Sequence, residues 1–423
     1  MVEERRNWSG NQDYGAARLH HPATVAEVQA LVAGARAVRA VGARHSFTGV
    51  AATSGDLLAL DRLDRVRAID PARRTVTVEA GIRYGQLGPQ LHAAGFALHN
   101  TASLPHITVG GACATATHGS GDGNGNLATA VAALELVTAD GNLVTLSRER
   151  DGDTFPGAVV ALGGLGVVTA LTLDLVPTFA VAQVVYENLP LATLIDNFAA
   201  IMGGGYSVSL FTDWRIDRVK QIWVKRRVAE DAAPASDAAY FGARPANGPR
   251  HLAGHPATES CTQQLGVSGP WHERLPHFRP DGLPTVGAEL QSEYFVPCQH
   301  APTVARALAT LGERLATVMQ SAEVRTIAAD DLWLSPCYQR DSVAFHFTWQ
   351  PDLSAVAAVL PLIEAQLDPF DARPHWGKLF ATTPQRLAEL YPRLSDFRAL
   401  QHRLDPAGKF RNAFMDRYIL GAG

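Results

Sequence analysis

Lysine is nearly absent from this chain: of its 37 basic residues only Lys220, Lys225, Lys378 and Lys409 are lysines, so each is a candidate for a specific role. Net positive charge is lacking too. The formal charge is −4, which argues against an electrostatic footprint for nucleic acid. Cysteine is sparse: Cys113, Cys261, Cys298 and Cys337 are widely separated. None forms a C-x-x-C pair, which excludes zinc-ribbon and thioredoxin motifs and points to reduced thiols of a cytoplasmic protein. The first ten residues have no apolar stretch and carry Glu3 and Glu4, so no secretory signal is expected. The familiar nucleotide and hydrolase motifs are missing. Gly377-Lys378 is followed by Leu379 and Gly408-Lys409 by Phe410, so there is no P-loop. Glycines 119, 121, 123 and 125 alternate with polar residues instead of opening an apolar helix, so the dinucleotide fingerprint fails. No H-E-x-x-H, no G-x-S-x-G and no internal repeat occurs.

A length of 423 residues with 47% apolar and 18% charged side chains predicts a globular chain of two or three domains. Thr24 with Glu27 three residues later caps a helix striped by Val25, Val28, Leu31 and Val32. Strands are predicted over 37–42 and 74–80, a helix over 84–95, and a hairpin over 132–146 turning at Asp140-Gly141. The uncharged run 155–173 is long enough to cross a bilayer, but its four glycines split it into a short helix and a strand over 167–173. Beyond about residue 180 the pattern changes to long alternating strands near 206–212, 221–225, 289–296 and 343–349, the pattern of an antiparallel sheet. Helices are predicted over 302–319 and 353–367, and Ala229 to Gly254 reads as a surface excursion.

Three glycine-punctuated loops crowd the first half: Val41-Gly42-Ala43-Arg44-His45-Ser46-Phe47, Ala102 to Gly111, and Thr115 to Gly125. Glycine lets a backbone approach a ligand closely, and the interleaved Ser, Thr and His supply neutral donors suited to phosphates and carbonyls. In the second half, Glu323 and Arg325 point to one face of a strand. Ala344, His346 and Thr348 share a face, with Phe345, Phe347 and Trp349 on the other. His375-Trp376-Gly377-Lys378 adds an ammonium. Together these groups suit the binding of several hydroxyls and the stabilisation of a developing alkoxide.

The three loops resemble the flavin-binding loops of the vanillyl-alcohol-oxidase family of FAD-linked oxidases, in its aldonolactone-oxidase-like branch. The resemblance spans nearly the whole chain, including Glu323-Val-Arg-Thr, Phe345-His-Phe-Thr-Trp, Arg373-Pro-His-Trp-Gly-Lys and Asp405-Pro-Ala-Gly-Lys-Phe. It implies an α+β, two-domain FAD-binding fold with an antiparallel-sheet substrate cap. The expected division is an FAD domain over residues 1–178, a cap over 179–374, and a C-terminal return over 375–423 that completes the FAD domain.

The same resemblance implies FAD joined covalently through His45. Val41, Gly42, Ala43, Arg44 and Ser46 would surround it, with Ser103, Thr108, Gly111, Thr115, Ala116, Thr117, His118, Val168 and His375. Ser103, Glu323, Arg325, Thr348 and Lys378 match the substrate contacts. Arg325 and Lys378 would favour the alkoxide, and His346 would take the hydroxyl proton. The implied reaction is oxidation of the terminal primary alcohol of a linear polyol (xylitol, sorbitol or glycerol) to the aldose, with oxygen reduced to hydrogen peroxide. A lactone or sugar oxidase or dehydrogenase on the same fold is the alternative. No metal, nucleic-acid or membrane partner is expected. Cys113 reads as a small packing residue, and a monomer is the default.

Overall fold

The computed structural model describes residues 5–215, 217–229, 239–252, 258–282 and 289–421. Parallel pairing near the start joins Arg18–His20, Asp56–Ala59 and Val38–Val41 in a small sheet. The capped helix Val25–Gly34 precedes the strand Val38–Val41, with Thr24 accepting from the Glu27 amide as predicted. A five-stranded antiparallel sheet follows in the order Val66–Asp70, Thr75–Glu79, Val167–Asp174, Val131–Val137, Leu143–Ser147. The 155–173 run forms the short helix Phe155–Val159 and the strand Val167–Asp174, both largely buried.

The second half is dominated by one nine-stranded antiparallel sheet. Its centre runs Ala180–Pro190, Arg218–Val228, Ser207–Thr212, Met319–Ile327, Ser342–Trp349, Leu290–Pro297. Period-two alternation divides the residues between its faces. Val324, Phe345, Phe347, Trp349, Tyr294 and Val296 pack under the helices Ala301–Ala309 and Leu353–Leu367. The polar members of the same strands face the other way, toward the first half of the chain. Within 229–254, the stretches 230–238 and 253–254 lie outside the described residues, and Arg244–Pro245 adds a short edge strand to the sheet.

Residues of the C-terminal stretch, including Trp376, Leu390, Phe397, Phe410 and Ile419, are buried in the same apolar core as Val28, Leu58 and Leu136. Trp271, Leu275 and Trp333 from the middle of the chain join that core as well. Arg39 fastens these parts together. It is 2% exposed and donates to the carbonyls of Gly163 (2.9 Å), Phe410 (2.7 Å), Val50 and Leu162. Burial pushes its guanidinium down to about 10, which still leaves it cationic at neutral pH. Replacing it strands several buried carbonyls, each costing about 1–3 kcal/mol. Arg39→Met is therefore expected to lower the melting temperature by roughly 5 °C or more. A thermal melt within about 1 °C of wild type would contradict this account.

Candidate active site

A cavity of about 1070 Å³ lies between the first-half loops and the polar face of the large sheet. Its upper wall is Val41 to Ser46, with Ser103, Thr108, Gly111, Thr115, Thr117, His118 and Val168. The first two loops are packed against each other. A Cβ at Gly42 would fall 2.1 Å from Thr108 Oγ1, so only glycine allows the contact. Arg44, at φ 62°, occupies the left-handed region and turns the chain just before His45. The His45 ring rests 5.0 Å from that of Trp8, and neither of its nitrogens has a hydrogen-bond partner among the described residues. Burial, His106, Arg83 and Lys378 push it down to about 4, so the imidazole is neutral and keeps a free lone pair.

Two buried donors of this wall, Thr108 Oγ1 and Arg44 Nε, also lack partners among the described residues. A long, walled cavity with unmet polar groups and a neutral histidine fits a flavin nucleotide.

The opposite wall is written in the sheet register. Glu323 faces His346 across one strand pair, and His346 faces Glu293 across the next. One step along, Ser321, Thr348 and Gln291 form a second row. Arg325 lies opposite Ala344, whose small side chain leaves room for the guanidinium. Residues of both rows and Arg325 line the cavity. Lys378 and His375 enter from the C-terminal stretch, which is tied to the His45 loop by Phe47 N to Gly377 O (2.7 Å) and Thr48 Oγ1 to Trp376 O (2.9 Å).

Glu293 is the hub. Its carboxylate is fully buried. It accepts from Lys378 Nζ at 2.7 Å and from Arg325 Nη2 at 3.0 Å, with His118 Nε2 at 3.3 Å and His346 Nδ1 at 3.7 Å. Burial opposes its ionisation, yet Lys378, His118 and Arg325 hold it well below the usual carboxylate range. Lys378 Nζ also reaches His346 Nδ1 at 2.9 Å, while His346 Nε2 is 3.2 Å from Thr348 Oγ1. Burial and the Lys378 charge push His346 down to about 3, so it is neutral at physiological pH. Arg325 Nη1 donates to Ser103 Oγ at 3.3 Å, while Arg325 Nε forms an ion pair with Glu323 Oε1 at 3.4 Å that falls short of hydrogen-bond geometry. Glu323 is held ionised against burial by Arg325, His277 and His346.

The structure thus brings together every site residue expected from the sequence except Ala116. That residue takes φ 54° and buries its methyl group in the apolar core, outside the cavity. The glycines at 119–125 do not line the cavity either. Gly119 packs on Asn100 and Thr101, and Gly121 donates to Thr326 O near the end of the strand Met319–Ile327. Cys113 lies in the cavity wall, but burial pushes its thiol up to about 12, the behaviour of a packing residue. Local sequence pattern did not single out Glu293, with Gln291 and Glu289 beside it, although a signal was present: three polar residues at period two on an apolar strand.

Residues 16–147 match the FAD binding domain family, and residues 288–418 match the D-arabinono-1,4-lactone oxidase family. The chain is 50% identical to an alditol oxidase of a Streptomyces species over 97% of each sequence. It is 30% identical to L-gulono-1,4-lactone dehydrogenase of Mycobacterium tuberculosis over 98% of each. Among solved structures, a solvent-stable cholesterol oxidase superposes with a TM-score of 0.78 at 17% identity, covering 97% of this chain and 96% of that one. Glucooligosaccharide oxidase from Acremonium strictum, described as carrying a 6-S-cysteinyl, 8α-N1-histidyl FAD, superposes at 0.74 with 14% identity, covering 99% and 94%. These two share the fold. Taken with the identity across nearly the full length, they place the chain among the FAD-dependent oxidoreductases of the vanillyl-alcohol-oxidase family, in the branch of the alditol and aldonolactone oxidases.

Proposed function

We propose that this enzyme oxidises the terminal primary alcohol of linear polyols such as xylitol, sorbitol or glycerol, with FAD linked covalently to His45. The observation that carries the reading is the Glu293–Lys378–His346 cluster set between Glu323 and the His45 loop, in one cavity. The 50% identity to an alditol oxidase supports the substrate class. FAD, held by Val41 to Ser46 with Ser103, Thr108, Gly111, Thr115, Thr117 and His118, would supply the two-electron acceptor for the alcohol, with oxygen as the final acceptor and hydrogen peroxide as its product.

The protein's own groups prepare the alcohol. A hydroxyl entering beside Lys378 and His346 takes over the ammonium hydrogen now given to Nδ1 and donates its own hydrogen to that nitrogen, with the Glu293 carboxylate 3.7 Å away to balance the charge as the proton moves. Lys378 and Arg325 then stabilise the developing alkoxide. Glu293 keeps both cations in place without facing substrate charge alone. The remaining hydroxyls meet Glu323, Thr348 and Ser103. The neutral His45 ring, with its free lone pair, would be the residue that holds the flavin through its 8α carbon. The division into an FAD domain (1–178 with 375–423) and a cap (179–374) belongs to this reading, supported by the core that the two terminal segments share.

A second reading, oxidation of an aldonolactone, is favoured by the match of residues 288–418 to the D-arabinono-1,4-lactone oxidase family. A peroxide assay with xylitol, sorbitol, glycerol and L-gulono-1,4-lactone separates the two. Turnover of the polyols with little of the lactone is expected, and the reverse order would overturn the polyol reading.

Three variants test the roles. His45→Ala is expected to yield flavin that leaves the acid-precipitated protein, whereas the wild-type pellet stays yellow; a yellow His45→Ala pellet would remove the tether assignment. Lys378→Met is expected to lose about 100-fold in kcat on xylitol with flavin content unchanged. Glu293→Gln leaves two cations facing each other without their anion, and a kcat loss of about 10-fold or more is expected from steady-state rates.

A further inference from the structure

Behind Glu323, outside the cavity, lies a second lysine–histidine pair that the reaction described above does not use. Lys225 is 1% exposed, on the strand Arg218–Val228. Its Nζ meets three atoms: Leu275 O at 2.5 Å, Pro276 O at 3.1 Å and His277 Nδ1 at 3.1 Å. His277 is buried as well, and its Nε2 lies 2.9 Å from Glu323 Oε1. The backbone amide of His277 donates to Ser103 O at 3.1 Å, so one residue touches two members of the proposed substrate set.

The atoms around Nζ restrict the protonation states. Two carbonyls require two donated N–H groups, which leaves the third position of Nζ to His277 Nδ1. Two cations 3.1 Å apart in a buried site repel each other strongly, so the pair holds one proton between them. If the proton is on Lys225, the ammonium donates to Nδ1 and the neutral ring carries its hydrogen on Nε2. If it is on His277, the imidazolium donates to the neutral amine and again carries hydrogen on Nε2. In both states an N–H points at Glu323. Only loss of the shared proton allows the ring to turn a lone pair toward the carboxylate.

We propose that Lys225 and His277 form a buried positioning dyad whose single shared proton keeps Glu323 ionised and aimed as an acceptor for substrate hydroxyls. The inference rests on the polyol reading above, in which Glu323 receives those hydroxyls. The other titratable groups facing Glu323 are Arg325 on its own strand, His346 on the neighbouring strand and Lys378 from the C-terminal stretch. Cys261 faces Lys225. Burial lowers the Lys225 amine to about 7 with Glu323 opposing, so the dyad loses its proton as pH rises through neutrality.

The test is the pH dependence of KM for xylitol in the FAD-loaded enzyme, from about pH 6 to about pH 9.5, with flavin content measured alongside. For wild type, KM should rise on the alkaline side. Lys225→Met is expected to raise KM about 10-fold at the acid end. The ratio of its KM to wild type should then fall toward one at the alkaline end, with kcat changed less than KM. His277→Gln keeps an amide N–H toward Glu323 that does not titrate, and its KM should stay low and flat with pH. A Lys225→Met ratio that is constant with pH would overturn the proposal. So would a His277→Gln variant that retains the alkaline rise, and this arm decides the matter if Lys225→Met does not fold. Absence of xylitol turnover in the wild type would instead overturn the polyol reading, and this inference with it.

Discussion

The structure depends on one buried carboxylate. Glu293 stands on a central strand of the large sheet with no exposed side-chain surface, where an unpaired negative charge costs several kcal/mol. Lys378 and Arg325 satisfy it, and in doing so they are held in the cavity wall at fixed positions. The cations in turn are tolerated in a largely buried site because the anion is there. Other features of the sheet-side wall follow from this arrangement. His346 is neutral because it is buried beside Lys378, and Ser103 is drawn to the sheet because Arg325 donates to it. The C-terminal stretch must return across the molecule to deliver Lys378, and the same stretch is hydrogen-bonded to the loop that carries His45.

The pattern of a lysine Nζ on a histidine Nδ1 occurs twice on this face of the sheet, at Lys378–His346 (2.9 Å) and Lys225–His277 (3.1 Å). In a chain with four lysines, half of them serve this purpose. The two pairs differ in access. Lys378 and His346 line the cavity, while Lys225 reaches it only through His277 and Glu323. In the proposed reaction the first pair would meet a reacting hydroxyl, and the second would set the charge of a residue that holds one. Such a division suits a substrate with several equivalent hydroxyls, where orientation decides which carbon is oxidised.

Much of this arrangement is legible in the amino-acid sequence. Period-two alternation puts Glu323, Arg325, His346 and Thr348 on one face and Phe345, Phe347 and Trp349 on the other, because side-chain alternation in a strand is set by local geometry. The glycine loops around His45 and Thr108 are legible because close backbone approach requires glycine. Glu293 is not legible in the same way. An alternating polar residue on a strand usually faces water, and only the sheet order, with its strand beside that of His346, turns it inward. The strand order of the large sheet joins segments far apart in sequence, so local pattern does not contain it. The glycines at 119–125 mislead in the opposite sense, since glycine permits approach to a strand end as readily as to a ligand.

The central claim is that one cavity brings a polyol hydroxyl, the Lys378–His346 pair and the flavin together. Mixing FAD-loaded enzyme with xylitol under strictly anaerobic conditions tests it most directly, because the outcome does not depend on the oxygen step. Loss of the visible flavin absorbance in a single turnover is the predicted result. Flavin that stays oxidised in the presence of saturating xylitol, sorbitol and glycerol would contradict the account.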